Sequence, residues 1–104
     1  MARLRAIQFA RAAPTSWPAA IYTVPTGYRA LLKFFTMIEV SGSACIVQLR
    51  TGSPGAIMAY SLPAYPGTWA QNCWIMWDQG ETIYANRSNA GQLVVTLNGS
   101  LLTI

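Results

Sequence analysis

The segment from Ile21 to Val40 constrains the fold of this chain more than any other. It reads Ile-Tyr-Thr-Val-Pro-Thr-Gly-Tyr-Arg-Ala-Leu-Leu-Lys-Phe-Phe-Thr-Met-Ile-Glu-Val. Pro25 fixes φ near the value needed at the second position of a β-turn, and Gly27 supplies the positive φ further on. The segment therefore predicts a short strand, a turn and a long strand. In the long strand Ala30, Leu32, Phe34, Thr36, Ile38 and Val40 share one face. Leu31, Lys33, Phe35, Met37 and Glu39 share the other. Such alternation, rich in β-branched and aromatic residues, belongs to a pleated strand. Both faces carry apolar side chains, so both are expected to be covered.

The rest of the chain repeats this grammar. Ser41-Gly42-Ser43 reads as a turn, and the strands flanking it are expected to form an antiparallel hairpin. Cys45, Val47 and Leu49 alternate with Ile46, Gln48 and Arg50. Residues 56–62 read as a strand between two loops rich in Gly and Pro. Cys73, Ile75 and Trp77 alternate with Asn72, Trp74 and Met76. Asp78-Gln79-Gly80-Glu81 reads as a turn, 82–86 as a strand, and 92–97 as a strand with Leu93, Val95 and Leu97 inward. Asn98-Gly99 has the residues of a tight hairpin turn before a last short strand over 101–104. No window shows helical periodicity, and Gly and Pro interrupt most candidates. About eight short strands at this spacing predict an all-β fold, an antiparallel β-sandwich of jelly-roll type. Residues 1–19 read as a basic N-terminal arm and connector, in which 3–10 could be a strand or an extended arm, and 20–104 as the sandwich domain.

Composition enters at the surface. The chain has 104 residues, room for one domain, and a monomer of this mass exposes roughly 5,700 Å². Charged residues are only 10% and hydrophobic residues 53%. Too few charges remain to cover that surface, and symmetric self-association is the ordinary remedy. The candidate subunit interface is Leu31, Phe35, Met37, Trp74 and Met76, with Arg3, Arg5 and Arg11 of the basic arm reaching a neighbour. The net charge of +4 without a Lys/Arg run is weak support for nucleic acid. No stretch has the apolar length of a membrane span, and no secretion signal is read. Asn86-Arg87-Ser88 and Asn98-Gly99-Ser100 match the glycosylation pattern, but without that signal they read as chance.

The residues that carry chemistry are scarce. There is no His, which removes the commonest general base and any Ser-His or Cys-His pair. Glu39, Asp78 and Glu81 are the only acids, and the last two bracket a turn, where acids are ordinary residues. No phosphate-binding loop and no calcium loop is present. Cys45 and Cys73 could pair, although free thiols are the default, and two Cys without His make no ordinary zinc site. No catalytic residue, metal or cofactor is expected. Exposed Tyr60, Tyr65 and Trp69 on loops would suit sugar rings, so a carbohydrate-binding module for host recognition is the competing class.

The order Ile21–Gly27, Arg29–Val40, Ser41–Leu49, Asp78–Tyr84 and Val95–Gly99 resembles a pattern in small β-sandwich virion proteins of tailed bacteriophages. Its parts are a Tyr-Thr-Val-Pro-x-Gly opening, a long apolar strand, a Ser-Gly-Ser-Ala turn, an acidic Gly-Glu turn and a Val-x-Leu-x-Gly close. The likeness covers most of the chain after residue 20. It implies a non-enzymatic building block of the virion, a trimer or ring bound to other virion proteins. The tail, baseplate or collar is slightly favoured over capsid decoration.

Overall fold

The computed structural model describes residues 4–42, 45–52, 55–61 and 67–104, with side chains for 10–41, 45–51 and 67–104. They form eight strands: β1 (Leu4–Ala12), β2 (Ala19–Thr23), β3 (Tyr28–Gly42), β4 (Val47–Gly52), β5 (Gly55–Ser61), β6 (Thr68–Trp77), β7 (Thr82–Arg87) and β8 (Gly91–Thr103). The first sheet has the order β1-β8-β3-β6 and the second β2-β7-β4-β5. All pairings are antiparallel. The first strand pairs the last, the second the seventh, the third the sixth and the fourth the fifth. This is the double Greek key of an eight-stranded jelly roll.

That order corrects two expectations. β3 and β4 lie in different sheets, so they do not form a hairpin across residues 41–43. Only β4 and β5 are consecutive strands of one sheet; every other connection crosses the sandwich. Asn98-Gly99 is not a turn, because β8 runs unbroken from Gly91 to Thr103. Of the two readings of the N-terminal segment, strand or extended arm, the structure has the strand: residues 4–12 form an edge strand paired with β8. Gly27 has φ of 89°, as the turn requires. Yet the Tyr28 N–H donates to the Pro25 carbonyl at 3.2 Å, so Pro25 stands first in the turn rather than second.

The decisive irregularity is in β3. Leu32 faces Gly99 and Phe34 faces Asn98, so Lys33 has no counterpart on β8. On the other side Lys33 faces two residues, Cys73 and Trp74. This β-bulge exchanges the two faces of β3 midway along it. Ala30 and Leu32 point inward before it; Phe35, Met37 and Glu39 point inward after it. β8 needs no such change, and Leu93, Val95, Leu97 and Leu101 all join the core. Val47, Leu49, Ile83 and Ala85 close the core from the second sheet, with Trp77 at the end of β6.

Candidate interaction surface

The bulge sorts the expected interface residues. Phe35 and Met37 are 0% and 1% exposed, inside the core of a single subunit. Leu31 faces outward beside Ser100 but is also buried. None of these three is free to meet a neighbour, which corrects the expectation. Trp74 and Met76, by contrast, are 74% and 49% exposed on the outer face of the first sheet. The residues that the sequence placed with Ala30 and Leu32 join them: Ile38 and Val40 are exposed and Phe34 is half-buried. Arg11 stands exposed opposite Thr96. Arg3 and the side chain of Arg5 lie outside the described residues.

The outer face is thus built by β6, β3 and β8. Lys33, pushed out by the bulge, sets its ammonium 5.6 Å from the centre of the Trp74 ring. Cations sit favourably over an indole face, with a contribution of about 0.5–1 kcal/mol at an exposed site. Thr36 and Thr96 share a hydroxyl–hydroxyl hydrogen bond across the β3–β8 ladder. Lys33 and Arg11 are the charges on this face among the described side chains; Arg29, at its end, is paired with Asp78 at 3.3 Å.

Trp69, expected on a loop, is part of β6 and turns inward. Its ring meets Phe35 edge to face with centroids 4.8 Å apart. It offers no open platform to a sugar. Tyr60 belongs to β5, but its side chain and all of Tyr65 lie outside the described residues.

The acids serve the architecture. The Asp78 carboxylate accepts from the Gln79 N–H at 2.9 Å and from Arg29. The first of these, then Arg29, hold its carboxyl below the usual range. Glu81 accepts from the Asp78 N–H at 2.6 Å and from the Thr51 hydroxyl at 3.3 Å. Glu39 was missed altogether by sequence reasoning. The bulge turns it inward, where it meets Arg87 at 3.6 Å with both side chains buried. The Cys45 thiol donates to its Oε1 at 2.8 Å. The Arg87 guanidinium also donates to Asn89 at 3.3 Å. A buried charge needs a partner, and this pair ties β3 of one sheet to β7 of the other. Cys45 and Cys73 are both free thiols, the second only half-buried.

No family model matches this chain, and neither the curated proteins nor the solved structures include a match to it.

Proposed function

We propose that this chain is a non-enzymatic structural subunit of a tailed-phage virion, self-associating and docked on other virion proteins through the outer face of its first sheet. One observation carries the docking: Trp74 and Met76 stand in water on a sheet face that also presents Ile38 and Val40. Burying such area contributes roughly 25 cal/mol per Å², and Trp and Met are enriched where proteins meet. The jelly roll supports the reading as a fold common in capsid proteins, although the fold also serves lectins and enzymes. The virion itself enters through the order of motifs from Ile21 to Gly99.

The tail, baseplate or collar is the favoured location and capsid decoration the alternative. The test is fractionation of assembled particles into tails and tailless heads, each probed with an antibody to this chain. The expected result is signal in the tails. Signal in heads alone moves the subunit to the capsid surface, and absence from both fractions overturns the proposal.

A further inference from the structure

We infer that β6 is the self-association edge, and that two copies pair their β6 strands antiparallel about a two-fold axis, joining two four-stranded sheets into one. The inference rests on the self-associating reading above and names its interface and partner, a second copy of this chain.

The first sheet ends at β1 on one side and β6 on the other. An edge strand presents unpaired backbone N–H and C=O groups to any passing strand, and proteins blunt it with charges, Pro or shortness. β1 contains Arg5 and Arg11, with Arg3 just before it; pairing two copies of β1 would bring arginines together. β6 has none of these protections. Its ten residues, Thr-Trp-Ala-Gln-Asn-Cys-Trp-Ile-Met-Trp, include no charge, no Pro and no Gly. Thr68, Ala70, Gln71, Asn72, Trp74 and Met76 are all exposed. In the second sheet the edge strands are both shorter: β2 has five residues, and β5 has seven and opens on a glycine.

The occupant follows from the side chains. The outward residues of β6 are Thr68, Ala70, Asn72, Trp74 and Met76: small or polar in the first half, large in the second. An antiparallel pair sets outward residues opposite outward residues. With the axis near Asn72 and Cys73, Trp74 of each copy falls opposite Asn72 or Ala70 of the other. Met76 falls opposite Ala70 or Thr68. Large meets small on both sides of the axis, and no like charges face each other. Ten residues at about 3.3 Å give an edge of about 33 Å. A strip about 15 Å deep along it removes about 1,000 Å² in all, the low end for a specific interface. An interface of this size suits a reversible, concentration-dependent dimer.

The test is sedimentation velocity of the full chain from about 1 µM to about 200 µM. The native chain should pass from monomer to dimer. Asn72→Lys sets two ammonium groups near the axis at an exposed position and should weaken the dimer at least tenfold. Trp74→Gln should weaken it as well. Ala20→Lys, on the edge of the second sheet, should leave it unchanged. Circular dichroism and melting temperature confirm that each variant is folded. A native chain that stays monomeric throughout overturns the inference. So does an Asn72→Lys dimer as tight as the native one, or an equal loss in Ala20→Lys. A monomer still found in virions sinks this interface and spares the structural role; a β6 dimer absent from virions does the reverse.

Discussion

Gly99 shows how closely the strands approach at the bulge. A Cβ at this position would run into the carbonyl oxygen of Leu31 on the neighbouring strand. The obstacle is backbone, pinned by ladders on both sides, so it cannot swing away as a side chain would. Gly99→Ala should therefore destabilise the fold by about 1–3 kcal/mol, read as a lower urea midpoint. An unchanged midpoint would mean that β3 and β8 lie farther apart. Cys45 gives a chemical readout. Its thiol is pushed up from an ordinary 9.0 to about 11, first by burial, then by its hydrogen bond to Glu39, with Arg87 opposing. The thiolate is the nucleophile, so at neutral pH Cys45 should resist iodoacetamide until the chain unfolds. The folded state holds this proton more tightly than the unfolded one. Its stabilising contribution is full below pH 9.0 and lost as pH rises toward about 11. A Cys45→Ala variant should accordingly show a shallower fall in melting temperature across that window.

Within the strands, β3 explains what could and could not be read from residue order. Leu31-Leu32-Lys33-Phe34-Phe35 is apolar on both sides of Lys33, so neither face declares itself and a one-residue slip is invisible. The structure takes the slip, and Phe35 and Met37 exchange places with Ile38 and Val40. β6 is different: of its odd residues, Trp69, Cys73, Ile75 and Trp77 pack against or within the core, and only Gln71 is exposed. The exposure of Trp74 and Met76 was therefore legible. Val47, Leu49, Leu93, Val95 and Leu97 were legible for the same reason. The inward turn of Glu39 was not, because an acid is read as a solvent residue unless its partner is known. That partner, Arg87, is distant in sequence and reached only through the sandwich. Glu39→Leu should strand the buried Arg87 charge and cost about 3–5 kcal/mol. Adding Arg87→Met should recover most of the loss, because an apolar pair can replace a buried ion pair. A single variant as stable as the native chain would contradict the buried pair.

The chain has an accessible surface of 5504 Å², close to the roughly 5,700 Å² expected for its mass. A single subunit thus folds as tightly as a monomer should, and much of the apolar surplus inferred from composition is inside it. Among the described residues, the large apolar side chains left outside lie chiefly on the outer face of the first sheet. The nested pairing, first strand with last, makes most contacts distant in sequence, so refolding should take about milliseconds to seconds rather than microseconds. Stopped-flow fluorescence checks this.

The central claim is that the outer face around Trp74 and Met76 is covered by protein when the chain is assembled. Hydroxyl-radical footprinting of the dilute and the assembled protein tests it residue by residue. Oxidation of Trp74 and Met76 should drop on assembly while that of the exposed Ile46, on the other sheet's side, holds steady. Equal oxidation of Trp74 and Met76 in both states would contradict the account.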